Sequence, residues 1–235
     1  MVVATILGNV VTINGPGTSD ITARQSGNAT YAPARYIKTL TVGNTDQTIN
    51  FDALPSKTYG DADFTITASA SSGLIVSFSS DNAAVATVTA GLVHITGAGT
   101  AVITASQNGD GNYNAAPSVP QTLTVGKINL TFTADNKTKE YLAQNPVLTF
   151  VISGFINGET QSVLDILPSI QTTSLQNSPA GSYPITLSGG NDNSYNYVYV
   201  AGTLTITRIP QTIAFTDVPV RLLVKDTYTL SATST

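Results

Sequence analysis

The chain has 235 residues, a net charge of −4 and no cysteine. The lack of cysteine excludes a disulfide framework, a thiolate zinc site and a cysteine nucleophile. The mildly acidic balance, without any cluster of Lys and Arg, argues against nucleic acid as a partner, and no apolar run approaches the roughly 20 residues that span a bilayer.

The elements predicted along the chain are short β-strands separated by turns. Apolar and polar residues alternate at 64–68, 100–104, 122–125 and 204–206, which places one face of each strand inward and the other outward. Clusters of Gly, Asn, Asp and Pro between these runs predict turns. Residues 161–166 are expected to form no more than one helical turn, so the predicted fold class is all-β.

A repeat with a period of about 82 residues runs through the chain. The sequence TLTV begins at Thr39 and again at Thr122, and the related sequence TLTI begins at Thr203. Repeats of this kind indicate an array of modules that share one structural plan.

The repeat contains two module types, which divide the chain into four segments. Val3 and Ile13 recur one period later as Val85 and Ile95. The predicted segments are the closing half of a first-type module at 1–43, a complete first-type module at 47–125, a complete second-type module at 127–207 and the opening part of another first-type module at 211–235. In the last segment, four residues lie two periods after Phe51, Pro55, Phe64 and Ile66, namely Phe215, Pro219, Tyr228 and Leu230.

The size of the repeat and its short strands predict the architecture. Many short strands with frequent turns over roughly 80–100 residues are typical of Greek-key sandwiches, so we predict tandem immunoglobulin-like Greek-key β-sandwiches. The junctions at 43–46, 126–127 and 207–210 are short. Neighbouring modules are therefore expected to form an elongated array.

Two stretches of the first complete module carry a family resemblance. Residues 79–88 read SSDNAAVATV, and residues 97–105 read GAGTAVITA. Both are similar to stretches of the bacterial Ig-like (Big) domains. The resemblance covers 47–125 and part of each of the segments 1–43 and 211–235.

The second module type resembles a different family. Its supporting residues are 132–141, 153–160, 180–185, Tyr197 and 202–205. They are similar to the MBG domain of the YGX type. The chain departs from that family at Tyr141, which is followed by Leu142 where the family usually has Gly; the Tyr-Gly motif stands instead at Tyr59-Gly60 of the other module.

Both resemblances imply a structural role. Such modules usually act as spacers or stalks in very large bacterial surface, adhesin-like and secreted proteins, with neighbouring modules as partners and with no common catalytic residues. They imply a non-catalytic segment at the cell surface or in the extracellular medium. Two alternatives stay open: an adhesive or carbohydrate-binding module that recognises a glycan or surface ligand, and accessory domains of a secreted polysaccharide-degrading enzyme.

The sequence offers few groups for catalysis. His94 is the only histidine, and Glu140 and Glu159 are the only glutamates. No nucleophile and base accompany His94, and nothing places the two glutamates across a cleft, as a glycosidase needs. We therefore predict no catalytic residue and no resident cofactor.

Four aspartates in turns are candidate calcium ligands: Asp61, Asp63, Asp110 and Asp192. Calcium takes six to eight oxygen ligands, and carboxylates in loops can supply some of them. Asp and Asn also favour turns for their own sake, because they bond to their own backbone and tolerate left-handed conformations. Both interpretations remain open for the four residues.

Three tyrosines alternate along one predicted strand. Tyr195, Tyr197 and Tyr199 lie on one face, and Val198 and Val200 lie on the other. An exposed row of rings could stack on sugars or form an adhesive patch. Alternatively, the rings close the end of the core and their hydroxyls reach water.

The two end segments predict one partner. Residues 211–235 would supply the opening strands of a first-type module, and residues 1–43 would supply its closing strands. Because unpaired strand edges recruit other strands, isolated copies of the chain are expected to associate head to tail. In an intact parent protein the same ends are expected to pair within their own domains, so this association would be an artefact of isolation.

Overall fold

The computed structural model describes residues 2–215, 224, 229 and 231–234. The chain divides into two compact units, 1–128 and 129–235. The described residues form strands and a single 3-10 turn, Gln161–Val163, so the all-β class is confirmed. None of the described helices could cross a membrane.

The first segment forms two hairpins. Its strands are β1 (Ala4–Leu7), β2 (Val10–Ile13), β3 (Gly17–Gln25) and β4 (Ala34–Val42). β1 pairs with β2, and β3 pairs with β4, both antiparallel.

The following segment of the first unit is a β-sandwich. Its strands are β5 (Ile49–Phe51), β6 (Lys57–Thr58), β7 (Phe64–Thr65), β8 (Ala68–Ala70), β9 (Ser77–Ser80), β10 (Ala86–Thr89), β11 (Leu92–Ile95), β12 (Gly99–Ser106) and β13 (Val119–Gly126). Its sheets have the orders β6-β13-β12-β9, β10-β11-β7 and β5-β8. The core contains the buried side chains of Phe51, Val93, Ile95, Ile103 and Leu123.

One predicted strand is wrong in its extent. Residues 64–68 alternate like a single strand, but the chain changes sheet within them: β7 pairs with β11, and β8 pairs with β5. The amide of Ile66 still donates to the carbonyl of Gly91, at 2.8 Å. Alternation shows which side chains point inward, and it does not show which neighbour the backbone pairs with.

The second unit contains another sandwich. Its strands are β14 (Ile128–Ala134), β15 (Lys137–Glu140), β16 (Phe150–Ser153), β17 (Ser169–Thr172), β18 (Gly181–Ser188), β19 (Tyr195–Val200) and β20 (Gly202–Thr207). The two sheets have the orders β16-β14-β19 and β15-β20-β18-β17. Leu130 and Phe132 from the first sheet are buried with Ile185, Leu204 and Ile206 from the second.

The last described strands form a short ribbon, β21 (Ile213–Phe215) and β22 (Ala232–Ser234). The predicted counterparts Pro219, Tyr228 and Leu230 lie outside the described residues. The structural division at 128 lies next to the junction predicted at 126–127, whereas the junctions at 43–46 and 207–210 lie inside the units. The four-segment division thus stays a prediction.

Strand pairing follows the repeat seen in the sequence. Ala4 pairs with Ile13 as Ala86 pairs with Ile95 one period later. In the end ribbon, β21 and β22 pair in the register that β5 and β8 adopt two periods earlier. Segments with similar sequences therefore adopt the same local structure in different parts of the chain.

Candidate functional sites

The tyrosines of β19 point toward the core of the second sandwich. The ring of Tyr197 lies 4.6 Å from the ring of Phe132, and the ring of Tyr199 lies 6.0 Å from it. Tyr195 is only 2% exposed, and its ring meets Phe155 edge-on at 5.7 Å. The three residues share one face of the strand as predicted, and that face is the inner one.

Their hydroxyl groups bond within the protein. The hydroxyl of Tyr197 lies 3.1 Å from the carbonyl of Ile166 and 3.2 Å from that of Asn191. Tyr195 donates to the carboxylate of Glu159, and Tyr199 donates to a backbone carbonyl. These contacts fit the interpretation in which the rings close the end of the core. The three rings do not form a flat, exposed row on which a sugar could stack.

Burial changes the acidity of these phenols. Burial, and after it the hydrogen bond to Glu159, raises the pKa of Tyr195 to about 12. Burial, and after it the negative charge of Asp192, raises the pKa of Tyr197 to about 12. Burial also raises the pKa of Tyr199. Each phenol is therefore held in its neutral, hydrogen-bonding form.

Asp192 organises the turn that leads into β19. Its carboxylate accepts from the amides of Ser194 and Tyr195, both at 2.8 Å, and from the amide of Asp165 at 3.3 Å. Beside it, Ile166 and Asn191 exchange two backbone hydrogen bonds of 3.0 Å. The buried carboxylate thus fixes backbone amides at the end of the core.

The two acidic residues near β7 have separate partners. Asp61 accepts a hydrogen bond of 2.9 Å from the amide of Thr58. Asp63 lies 2.7 Å from Nδ1 of His94, and both side chains are exposed. His94 on β11 therefore pairs with an aspartate at the surface.

Asp110 forms the same turn that Asn28 forms one period earlier. Its carboxylate accepts from the amides of Asn112 at 2.8 Å and Tyr113 at 2.9 Å. The side chain of Asn28 accepts from its own second and third neighbours at the same two distances. Because the neutral side-chain amide of Asn28 accepts the same hydrogen bonds as the carboxylate of Asp110, the turn does not require a negative charge.

None of the four calcium candidates belongs to a larger ligand set in the described part of the chain. No group of three His, Cys, Asp or Glu residues that could hold a metal occurs there. Each candidate carboxylate is a partner of a backbone amide or of His94. Calcium binding stays a prediction, and the geometry seen at each residue is that of turn chemistry.

Gln47 is a buried polar residue that the sequence patterns did not identify. Gln47, 3% exposed, donates from Nε2 to the side-chain oxygen of Gln107 at 2.5 Å and to the carbonyl of Asn114 at 2.7 Å. Thr45 adds two backbone hydrogen bonds to the same loop. Gln47 thus links the start of the sandwich to the loop 107–114. The recurrence of this glutamine as Gln211 is the feature of the sequence that could have identified it.

Lys139 on β15 is another buried polar residue that the sequence patterns did not identify. Its ammonium group donates to three backbone carbonyls at 3.0–3.2 Å, those of Ala143, Leu175 and Gln176. Lys57 stands one period earlier, where its ammonium group lies 4.6 Å from the centre of the Phe64 ring. The repeat in the sequence shows that Lys57 and Lys139 occupy equivalent positions. The burial of Lys139 is seen only in the structure.

Known proteins resemble parts of this chain. No curated protein matches it. Among solved structures, it is similar to domains 4–9 of the surface layer protein SbsC, at 14% identity and a TM-score of 0.27, over 88% of this chain and 37% of that one. It is also similar to Drosophila N-cadherin EC1–4, at 13% identity and a TM-score of 0.25, over 87% of this chain and 64% of that one.

The chain therefore spans less than two thirds of the length of either solved structure. A family model gives the more specific match, and it lies within the predicted module at 127–207. The resemblance of the other module type to Big domains stays a prediction. Residues 130–205 match the MBG domain of the YGX type, which confirms the predicted family of the second module.

Proposed function

We propose that this chain is a non-catalytic spacer segment of a large, repetitive bacterial surface or secreted protein. Its modules hold other parts of that protein at a distance and carry tension along the chain. The match of residues 130–205 to the MBG domain supports the type of protein. The observation that supports the mechanical role is a strand pairing found in both sandwiches.

In each sandwich, an early strand pairs in parallel with the last strand. β6 pairs with β13 over two residue pairs, and β15 pairs with β20 over four. One further backbone hydrogen bond follows each pair, from Tyr59 to Gly126 at 2.8 Å and from Tyr141 to Thr207 at 3.0 Å.

Parallel pairing determines how tension acts on the sandwich. The chain enters on the N-terminal side of the early strand and leaves at the C-terminal end of the last strand. Pulling on both ends slides the two parallel strands past each other. All of their hydrogen bonds are then loaded together, whereas an antiparallel hairpin pulled from one end opens one bond at a time.

Single-molecule force spectroscopy on the full chain tests this proposal. We expect two separate unfolding events, one for each sandwich. The sandwich with β15 and β20 should unfold at the higher force, because its parallel pair is longer. Unfolding of both sandwiches at forces too low to resolve would contradict the mechanical role.

A proline substitution sharpens the experiment. Tyr141→Pro removes the amide that donates to Thr207, and the substitution suits the turn, because Pro favours the second position of turns with a positive φ at the third. We expect a lower unfolding force for the second sandwich only. Tyr141→Ala removes the ring and keeps the amide, so its unfolding force should match that of the unchanged chain.

A further inference from the structure

Strand β8 has a free edge inside the complete sandwich of the first unit. β8 pairs with β5, and no second neighbour joins it among the described strands. The preceding strand β7 pairs with β11, and the amide of Ile66 continues that pairing by donating to the carbonyl of Gly91 at 2.8 Å. Beyond Ile66, the edge that faces β11 has no partner strand in the described part of the chain.

The hairpin of β10 and β11 ends too early to cover this edge. Its two-residue turn consists of Ala90 and Gly91, whose φ angles of +49° and +81° are those of a type I′ turn. Gly91 lies so close to Ile66 that an added Cβ atom would come within 2.9 Å of the carbonyl oxygen of Ile66. The tight turn therefore reverses the chain beside Ile66 and leaves the edge of β8 uncovered.

The backbone groups of Ala68 and Ala70 point to this free edge. Successive residues of a paired strand direct their amide and carbonyl groups to opposite edges. The amide of Ser71 donates to the carbonyl of Thr48 at 2.9 Å, so Ser71 faces the side of β5, whereas Ile66 faces the side of β11. Ala68 and Ala70 are separated from Ile66 by even numbers of positions, and they therefore face the side of β11.

Three of these backbone groups are available to a new strand. The carbonyl of Ala70 accepts from the amide of Gly73 at 2.9 Å. The amide of Ala70 and both backbone groups of Ala68 have no hydrogen-bond partner among the described residues. An unpaired edge of this kind is a template for another strand.

An apolar groove of about 710 Å³ lies along the same edge, a volume typical of ligand-binding clefts. Val76 and Phe78 line the groove and pack against the core of the sandwich, and the side chain of Ile75 is 91% exposed beside them. None of the described residues that line the groove is charged. A charged group that entered it would lose water without gaining a partner, so the groove suits an uncharged occupant.

We propose that the free edge of β8 binds an extended, uncharged segment of a partner polypeptide, which adds to the sheet as a short antiparallel strand. The segment continues the line of β11 beyond the turn at Gly91. Residues of the segment that lie opposite Ala68 and Ala70 bond to them through the backbone. Because opposite residues share one face of a sheet, aliphatic side chains at the same positions enter the groove beside Val76 and Phe78.

The two kinds of contact have different consequences. Backbone hydrogen bonds supply affinity for any extended segment, and the groove selects segments with aliphatic side chains at alternate positions. The sandwich is then a docking point for another polypeptide as well as a spacer, so this inference goes beyond the proposed function and does not depend on it.

Solution NMR on the full, isotopically labelled chain provides the test. The probe is a capped peptide of about seven alternating Thr and Val residues, long enough to cover β8 and its flanks. Addition of the peptide should shift the backbone amide signals of Ala68 and Ala70 and slow their hydrogen exchange. Strand β17 also lies at the edge of a sheet, and as the internal control its amide signals should not change.

Methylation of the peptide amides separates backbone pairing from apolar contact. A peptide methylated at its Val amides keeps its side chains and loses the donors that face β8. Its dissociation constant should rise at least about tenfold. A peptide methylated at its Thr amides keeps those donors, and its dissociation constant should change by less than about threefold.

Ala70→Pro tests the same edge from the side of the chain. Proline removes the amide of Ala70, and an edge strand accepts it where that amide faces away from the neighbouring strand. We expect the peptide to stop binding while circular dichroism shows a folded chain. Ser69→Ala is the matched control, because it changes an exposed side chain of β8 and keeps every amide; it should bind the peptide as the unchanged chain does.

Several results would overturn the inference. They are unchanged amide signals of Ala68 and Ala70 at millimolar peptide, equal or reversed effects of the two methylated peptides, and shifts at β17 as large as those at β8. Concentration-dependent shifts of Ala68 and Ala70 without any peptide would assign the edge to a second copy of this chain, and would overturn it as well. The unfolding forces of single chains are measured without peptide, so the spacer function is tested separately.

Discussion

Leu142 occupies the left-handed backbone position that Gly60 occupies in the preceding sandwich. Their φ angles are +67° and +92°. In both turns, the following amide bonds back to the carbonyl three residues earlier, from Asp61 to Thr58 at 3.0 Å and from Ala143 to Glu140 at 3.1 Å. The departure from the YGX motif thus changes the residue and keeps the turn.

Leu142→Gly should stabilise the second sandwich. A residue with a Cβ atom in the left-handed region destabilises the folded chain by about 1 kcal/mol or more. Replacing it with glycine removes this strain, but glycine loses more backbone entropy on folding, which offsets part of the stabilisation. We expect the free energy of unfolding to rise by up to about 1 kcal/mol. Leu142→Ala is the control in urea denaturation, because it removes the side chain and keeps the left-handed strain; an equal rise in both variants would contradict the explanation.

Lys139→Met should destabilise the same sandwich. The substitution leaves three carbonyls near the buried lysine without their donor. We expect a loss of about 2–4 kcal/mol. Lys137→Met removes a lysine that lies 3.8 Å from Asp135 near the surface, and it should cost less than about 1 kcal/mol. Similar losses in the two variants would refute the role assigned to Lys139.

Gly190 should tolerate no side chain. A Cβ atom there would lie 2.8 Å from both the amide nitrogen of Pro168 and a ring carbon of Tyr197. Gly189 has a similar φ, +69° against +75°, and open space around it. Gly190→Ala should therefore cost about 2 kcal/mol or more beyond the roughly 1 kcal/mol of left-handed strain expected for Gly189→Ala. Equal decreases in the melting temperatures of Gly190→Ala and Gly189→Ala would show that the contact with Tyr197 is unimportant.

The second sandwich should lose stability in alkali. The pKa of Tyr197 rises from its ordinary value of 10.0 to about 12 in the folded chain. Between those values the unfolded chain releases a proton that the folded chain keeps, so stability is full below pH 10 and falls as the pH rises toward 12. Tyr197→Phe should lessen the fall in urea denaturation at several pH values, and an unchanged slope would contradict the assignment.

Asp110→Asn distinguishes turn chemistry from calcium binding. Asn28 already forms the equivalent turn with the same hydrogen bonds. We expect the variant to unfold at the same temperature as the unchanged chain, to within a degree or two, both with calcium and with a chelator. A calcium-dependent stabilisation that disappears in Asp110→Asn would instead establish a calcium site.

Much of the fold follows from patterns that the sequence displays. Alternation identifies the buried residues Ile103 on β12 and Leu204 on β20, because a strand between core and solvent alternates. The change of sheet near Ile66 cannot be predicted from alternation, because both sheets face the same core and therefore give the same inward and outward pattern. Alternation likewise placed the tyrosines of β19 on one face without showing which, because a ring with a hydroxyl suits either side.

The buried polar groups could not be predicted for a related reason. Gln47 and Lys139 look like ordinary surface residues in the sequence, and such residues are mostly exposed. Their burial depends on carbonyls from distant loops, such as those of Asn114 and Gln176. Only the folded chain brings these donors and acceptors together.

The parallel pairs also determine when each module can close. The parallel pair of β15 cannot form before β20, the final strand of its sandwich, is available, and the pair of β6 likewise requires β13. A polypeptide that emerges N-terminus first from a ribosome or an export channel therefore cannot seal a module until that module's last strand has appeared. Each sandwich then closes in a single late step, and modules mature one after another in the direction of emergence.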